Sequence, residues 1–376
     1  MSMSLNPVTL SDEQEEATYR LFAYLGHPTN FNPWAMDGPA GSGKTTVLAS
    51  VAREIRHAFL CTLTGKAASV LRRKTGLPVS TIHAAFYQLT EKGKDAAGKQ
   101  VLRFLPVHER GQLAGSIVLV DESSMINHEM ARDILRTGAK VAVCGDRFQL
   151  PPVSGRAFFD WSDVTLKTIH RQALESPIIR QAHRVRAGEH YREDGDGFRV
   201  FRDRGFTPDE AISADVILCY TNATRHHANK FVRSALGLGP GEVIAFASEP
   251  AMCLKNAAPF GIFNGATYRV LRDFKRGDTS ILIDVDGAAM TIPMVTWEGM
   301  PSPLDPRIDP VSRFDYGYAM TVHKAQGSEW DTVLLIDENF RPNDRMRWLY
   351  TAITRAAKQI SVSTCPLGYV PTRLPF

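Results

Sequence analysis

The 376-residue sequence predicts an α/β protein built on parallel sheets. Three observations carry that prediction. A phosphate-loop pattern, Gly38-Pro39-Ala40-Gly41-Ser42-Gly43-Lys44-Thr45, lies near the N-terminus. Short continuous apolar runs recur at 58–61, 117–120, 141–144, 216–219 and 333–336, with helical stretches between them. Each run stops at polar residues. A strand buried on both faces reads as a continuous apolar run rather than an alternating one. In such sheets ligands sit beyond the carboxyl ends of the strands, so chemistry is expected in the residues that follow each run.

The loop at 38–45 fits G-x-x-x-x-G-K-[ST] at every fixed position. Its backbone N–H groups must all turn toward one anion, a path that Gly41 and Gly43 permit because they carry no Cβ. Lys44 supplies a point charge for the β/γ-phosphates, and the Thr45 hydroxyl is a hard ligand for Mg²⁺. The short run 33–37 is an acceptable preceding strand. Ala49, Val51, Ala52 and Ile55 continue as a helix, whose N-terminal dipole also favours the anion. The pattern implies binding of a nucleoside triphosphate.

Composition is that of an ordinary globular chain, 44% hydrophobic and 22% charged, with a length suited to two or three domains. The formal net charge of +4 permits a nucleic-acid partner without requiring one. Cys61, Cys144, Cys219, Cys253 and Cys365 form no C-x-x-C pair, which points to a reducing compartment and away from a zinc site. No run approaches the ~18 apolar residues of a membrane span, so the expectation is a cytoplasmic protein with no membrane partner.

Ser11-Asp12-Glu13-Gln14 has the form of a capping box, and Ala17, Leu21 and Leu25 continue one apolar helix face. After the run 58–61 come Thr62, Thr64 and Lys66, small hydroxyls and a cation beside Gly65. They suit a sugar–phosphate backbone and equally a solvated helix start. After 117–120 come Asp121 and Glu122. Below a phosphate loop, an acidic pair at a strand end can hold Mg²⁺ through water and orient or deprotonate an attacking water. After 141–144 comes Gly145-Asp146-Arg147-Phe148-Gln149-Leu150-Pro151-Pro152, with Gln149 expected at the sheet's carboxyl edge near a γ-phosphate. Residues 88–112 read as a small basic hairpin or a charged surface loop. Residues 236–315, rich in Gly and Pro with closely spaced short strands, read as an inserted small β-barrel. Arg355, taken alone, is a favourable partner for a helix C-terminus.

Together these segments resemble a superfamily 1 helicase, most closely its RecD/Dda-like 1B branch, over nearly the whole chain and in the family's motif order. Leu10 to Gln14 resembles the Q motif, whose glutamine reads adenine; the capping box competes for the same side chain. Gly38 to Thr46 resembles motif I, which makes Gly38, Gly41, Ser42, Gly43, Lys44, Thr45 and Thr46 nucleotide contacts. Thr62 to Ala68 and Ser80 to His83 resemble motifs Ia and Ib, so Thr62, Thr64, Lys66, Thr81 and His83 are implied to meet single-stranded DNA. Asp121 and Glu122 resemble motif II, although Ser123 stands where relatives often hold Ala. Gly145 to Pro152 resembles motif III. Ile169-His170-Arg171-Gln172 resembles the segment that offers one arginine to the γ-phosphate. Thr321-Val322-His323-Lys324-Ala325-Gln326-Gly327-Ser328-Glu329 resembles motif V, implying DNA contacts for Thr321 and His323 and a ribose contact for Glu329. Tyr350 to Ala356 resembles motif VI, with Arg355 as the second arginine.

The resemblance implies two RecA-like parallel-sheet cores in tandem, 1–170 and 171–235 with 316–376. A pin-like hairpin at 88–112 would interrupt the first, and the barrel at 236–315 the second. It implies ATP and Mg²⁺ as ligands, with Lys44, Glu122, Gln149, Arg171 and Arg355 as the catalytic set. The expected activity is ATP-driven 5′-to-3′ translocation on single-stranded DNA with duplex unwinding, the polarity resting on resemblance alone. Expected partners are single-stranded DNA, tailed or forked duplex and a single-strand-binding protein, for a monomer in the nucleoid of a bacterial or phage-infected cell. In Dda-like relatives an aromatic on the pin separates strands. Phe104, the only aromatic at 88–112, takes that place or else packs the hairpin. A translocase or remodelling subunit without unwinding is the alternative. A small-molecule kinase would leave two arginine-bearing motifs unexplained.

Overall fold

The computed structural model describes residues 10–368 except 56, 95–99, 153–155, 256, 258, 259, 261, 263, 286, 306–308 and 339–343. Side chains at 66, 88–94, 100–105, 171 and 172 also lie outside the description. The chain divides into two compact units. The first comprises Met1–Leu63, Ala68–Thr81 and His108–Leu174, and the second Thr64–Ala67, Ile82–Val107 and Glu175–Phe376.

The first unit is organised on a six-stranded sheet in the order Ser80–Thr81, Ala58–Thr62, Ile117–Val120, Lys140–Gly145, Trp34–Asp37, Val164–Thr165. Every pairing in it is parallel. The apolar runs are its central strands, and Val118, Leu119, Val120, Val141 and Ala142 are fully buried. Each such Val or Leu side chain contributes about 1.5–3 kcal/mol relative to exposure. Helix Asp12–Gly26 starts at the capping box read from the sequence, with Ser11 and Gln14 bonded reciprocally, and buries Ala17, Leu21 and Tyr24. Its partner is helix Lys44–Glu54, whose buried Val47, Leu48 and Val51 join the same core.

The second unit carries a five-stranded parallel sheet, Ala319–Thr321, Val216–Cys219, Trp330–Ile336, Ala356–Ser363, Phe198–Phe201. Helix Asn222–Ala235 follows Val216–Cys219 and is capped by the Thr221 side chain. The α/β class with parallel sheets is therefore observed.

Between that helix and Ala319 lies a second kind of structure. Pro250–Cys253, Thr267–Val270, Ser280–Val285, Ala288–Pro293, Val295–Trp297 and Ser312–Tyr316 form a six-stranded sheet, antiparallel except where Val295–Trp297 meets Ser312–Tyr316. Its strand Ser312–Tyr316 crosses the boundary at 315/316 expected from composition. Helix Asn222–Ala235 ties this sheet down. Arg233 donates to Glu249 at 2.8 Å and to the Tyr316 hydroxyl at 2.7 Å, and Asn229 donates to the Tyr316 carbonyl at 3.0 Å. Arg225 pairs with Asp315 at 3.1 Å, both buried. Tyr87–Lys94 and Gln100–Pro106 form a separate antiparallel pair, with Phe104 opposite Leu89. The compact-unit division places that pair with the second unit. Among the described residues no helix is long and apolar enough to cross a membrane.

Candidate nucleotide and nucleic-acid site

The phosphate loop leaves the carboxyl end of strand Trp34–Asp37 and enters helix Lys44–Glu54. Gly41 and Gly43 both take a φ of 82°, the left-handed region that a side chain resists. A Cβ at Gly43 would also lie 1.9 Å from Gln14 Nε2, so the Gln14 amide would have to move to admit one. Ser42 closes the turn, its Oγ donating to the Pro39 carbonyl at 2.9 Å. The Thr46 N–H donates to the Gly43 carbonyl at 2.9 Å. Lys44 Nζ donates to the carbonyls of Gly38 and Pro39 at 2.8 and 3.0 Å, so the cation is held over the loop itself.

Thr45 Oγ1 donates to Asp121 Oδ2 at 2.8 Å. This contact joins the start of the loop helix to the carboxyl end of strand Ile117–Val120. Asp121 is buried, and its other oxygen accepts from the Glu122 N–H at 2.8 Å and from Cys144 Sγ at 3.1 Å. Burial and the Asp121 carboxylate push the Cys144 thiol well above its usual range, so it stays a neutral donor. Glu122 has a φ of 61° and is half-buried. A non-glycine residue in that region is strained, and such strain clusters at sites where direction matters. Gln149 is buried beyond strand Lys140–Gly145, with Oε1 unpartnered among the described residues. A buried amide oxygen without a donor costs about 1–3 kcal/mol and marks a position that a ligand or water would satisfy.

Thr45 and Asp121 are a hard-oxygen pair, the donor type Mg²⁺ prefers. Among the described residues no three His, Cys, Asp or Glu groups converge as a metal cage. That fits a cation which keeps several waters and uses one or two protein ligands plus phosphate oxygens.

Gln14 reaches this loop from helix Asp12–Gly26. Its Oε1 accepts from the Ser11 N–H at 3.0 Å, while Nε2 lies 3.4 Å from the Ser42 carbonyl and 2.7 Å from His170 Nε2. The His170 backbone N–H donates to the Gly41 carbonyl at 3.2 Å. The next residue, Arg171, opens helix Arg171–Leu174. That helix belongs to the first compact unit, whereas the sequence reading begins the second core at 171. The Arg171 side chain lies outside the described residues.

Arg355 lies in the second unit, two residues beyond helix Arg345–Ile353 rather than inside it. It is 4% exposed. Its guanidinium donates to the Thr351 carbonyl at 3.1 Å, the Ser328 carbonyl at 3.2 Å and Thr354 Oγ1 at 3.1 Å. All three acceptors are neutral oxygens, one on the last helical turn and one on the residue that caps it, so the charge is oriented without being neutralised. Glu329 is half-buried immediately after Ser328.

The residues implied for DNA fall at strand ends and short helix starts. Thr62 closes strand Ala58–Thr62 and Thr81 closes Ser80–Thr81, both buried. Thr64 Oγ1 accepts from the Ala67 N–H at 3.1 Å, opening helix Gly65–Thr75. The side chains of Lys66 and Phe104 lie outside the described residues. His83 sits 5.4 Å from the Tyr87 ring, and burial lowers its pKa. Thr321 is buried ahead of helix Val322–Ala325. His323 lies 6.3 Å from the Tyr220 ring, and burial lowers its pKa against a weaker opposing pull from Asp344. Both imidazoles are thus biased toward the neutral form.

Sequence reasoning missed two neighbours of the loop. Cys144 reads as a small buried hydrophobe, yet it bonds Asp121; its place at a strand's carboxyl end was the available signal. His170 carried no signal beyond adjacency to Arg171.

Residues 9–208 match the family model described as an AAA domain, and residues 316–362 match the UvrD-like helicase C-terminal domain. The ATP-dependent RecD2 DNA helicase of Deinococcus radiodurans is 28% identical over 353 residues, covering 85% of this chain and 45% of that protein. The ATP-dependent DNA helicase PIF1 of Saccharomyces cerevisiae is 28% identical over 274 residues, covering 64% of this chain and 30% of that protein. The chain thus spans less than half the length of these two relatives. A crystal structure of a Bacteroides Pif1 bound to single-stranded DNA shares the fold, with a TM-score of 0.58 at 20% identity, covering 96% of this chain and 93% of that one. The chain belongs to the AAA-domain family and, within the helicases, to the RecD/Pif1-like members of superfamily 1B.

Proposed function

We propose that this protein is an ATP-dependent DNA helicase that couples hydrolysis to 5′-to-3′ movement on single-stranded DNA and to duplex unwinding. The observation that carries the proposal is the joining of the phosphate loop to Asp121 through Thr45 Oγ1, at 2.8 Å. It sets a cation-binding oxygen pair beside a phosphate-binding loop. Relatives named as ATP-dependent DNA helicases, and related structures described with single-stranded and forked DNA, support the substrate class.

Phosphoryl transfer needs positioning and charge neutralisation more than covalent chemistry. The loop N–H groups and Lys44 hold the phosphates, with Gly38, Gly41, Ser42, Gly43 and Thr46 shaping the cradle. Thr45 and Asp121 would hold Mg²⁺, which when bound would neutralise negative charge on the phosphates. Glu122 orients and deprotonates the attacking water, and Gln149 senses the γ-phosphate. Arg171 and Arg355 complete the charge, Gln14 faces the base and Glu329 the ribose. Thr62, Thr64, Lys66, Thr81, His83, Thr321 and His323 line the DNA path. The protein acts as a monomer in the cytoplasm, with a single-strand-binding protein as a further partner.

The sheet at 250–316 is read as a small barrel beside that path. Its two edge strands, Ala288–Pro293 and Val295–Trp297, are joined through Met294 alone, which supports reading the sheet as curled with its edges close. The strand pair Tyr87–Lys94 and Gln100–Pro106 is read as a pin. The direct test of the nucleotide-and-DNA reading is steady-state ATP hydrolysis with and without single-stranded DNA. Stimulation by DNA is expected; hydrolysis indifferent to DNA would contradict it.

Phe104→Ala tests the pin. Opening duplex costs ~1.4 kcal/mol per base-pair step in stacking, and base–aromatic stacking returns ~1–3 kcal/mol. A wedge predicts slowed unwinding with near-normal ATP hydrolysis and single-strand translocation. A packing residue predicts lower thermal stability with all three activities falling together, and unchanged unwinding would exclude both roles.

A further inference from the structure

Between strand Val164–Thr165 and helix Arg171–Leu174 the chain runs past the phosphate loop without regular structure. It is pinned at both ends. The Leu166 N–H donates to the Asp37 carbonyl at 2.9 Å, and the His170 backbone N–H to the Gly41 carbonyl at 3.2 Å. A Cβ at Gly38 would lie 3.0 Å from the Leu166 carbonyl oxygen, so the two stretches pass at close range. Between the pins, the N–H groups of Lys167 and Thr168 donate to Glu13 Oε1 and Oε2, each at 2.8 Å. One carboxylate thus clasps two successive backbone donors from 154 and 155 residues away in sequence. A backbone N–H can only donate, so the sense of both bonds is fixed. Partial burial acts to raise the Glu13 pKa. The two N–H donors, the Thr168 hydroxyl and the Lys167 charge together outweigh it and leave the group below its ordinary range, a carboxylate at neutral pH.

We propose that Glu13 is a positioning residue for hydrolysis, holding the stretch 167–170 so that Arg171 enters its helix beside the phosphate loop. This rests on the role given to Arg171 above and deepens it. Arg171 is the first residue of a four-residue helix, so the path of the chain just before it sets where its backbone stands. That path has no strand or helix to hold it, and fixing each such residue costs about 1–2 kcal/mol in backbone entropy. Glu13 offsets part of that cost with two charge-assisted bonds, stronger than neutral ones. Without the carboxylate, Lys167 and Thr168 turn to water and the chain between the two pins is released. A displacement of about 1 Å in a positioned group can cost as much as 10²-fold in rate.

The test is a double-mutant cycle on the full chain with Glu13→Ala, Arg171→Ala and the two combined. Single-turnover ATP hydrolysis, with enzyme in excess and single-stranded DNA present, reads the chemical step even in slow variants. Equilibrium binding of a fluorescent ADP reads nucleotide affinity beside it. Glu13→Ala should slow hydrolysis about tenfold, equivalent to about 1.4 kcal/mol, with ADP affinity changed less than about twofold. In the Arg171→Ala background the same substitution should slow hydrolysis no further, because the two residues act as a unit. Glu13→Gln keeps one of the two acceptors and should slow hydrolysis about threefold. It carries the cycle if Glu13→Ala destabilises the fold. An unchanged rate in a folded Glu13 variant overturns the proposal. So does an equal tenfold fall in both backgrounds, which would make Glu13 a support for the fold alone, or a loss confined to ADP affinity. If Arg171→Ala by itself hydrolyses ATP normally, the role given to Arg171 falls and takes this proposal with it.

Discussion

Lys44→Ala is expected to reduce ATP hydrolysis to background while leaving single-stranded DNA binding largely intact. The ammonium is poised over the loop by the carbonyls of Gly38 and Pro39, 2.8 and 3.0 Å away. A bound triphosphate offers that charge a far stronger partner than two neutral oxygens, and the attraction grows as charge develops in transfer. Loss of a single preorganised donor at developing charge costs about 10²–10³ in kcat, and loss of a full charge should cost at least that. The loop itself should survive, because Ser42 Oγ and the glycine turns close it without the lysine. Steady-state hydrolysis and a fluorescence-anisotropy titration with labelled single-stranded DNA check both halves. Normal DNA-stimulated turnover in the variant would remove the loop from the chemistry.

Arg355→Ala is expected to bind nucleotide at near-normal affinity and to hydrolyse it about 10³-fold more slowly or worse, the range typical of a supplied arginine. The arginine is buried and held by three neutral acceptors, so its charge is oriented but, among the described residues, has no carboxylate to answer it. Holding a cation this way is costly unless an anion visits. Truncation also removes bonds to the Thr351 and Ser328 carbonyls, so a thermal melt must accompany the kinetics. Arg355→Lys separates charge from geometry, since lysine keeps the charge without the planar fork. A variant with weakened nucleotide binding and intact kcat would show a ground-state contact only.

Much of the fold was legible because it is written in buried strands. The continuous runs at 117–120 and 141–144 can only be satisfied with apolar packing on both faces, and they form neighbouring central strands of the first sheet. The capping box at Ser11 and the glycine path of the loop were equally plain, since each is a local requirement of the backbone. The sheet at 250–316 was harder. Three of its six strands were visible, but Pro250–Cys253 begins with proline, and Val295–Trp297 and Ser312–Tyr316 are short segments completed by their partners.

The site divides in the same way. Lys44, Thr45 and Asp121 were legible because phosphate and cation chemistry dictates both residue type and spacing. Cys144 and His170 were not, because their role comes from a tertiary contact across 23 residues to Asp121 in one case and 156 to Gln14 in the other. No local pattern encodes such a contact. Arg355 was legible as an arginine near a helix end; that its acceptors are all uncharged required the structure.

The central claim is that hydrolysis at the Lys44–Asp121 site drives directional movement on DNA. Strand displacement tests it most directly, using duplexes that carry either a 5′ or a 3′ single-stranded tail, with ATP and with a non-hydrolysable analogue. Displacement of the 5′-tailed duplex with ATP, little with the 3′-tailed duplex and none with the analogue is the predicted result. Displacement that proceeds equally with the analogue, or ATP hydrolysis that leaves both duplexes intact, would contradict it.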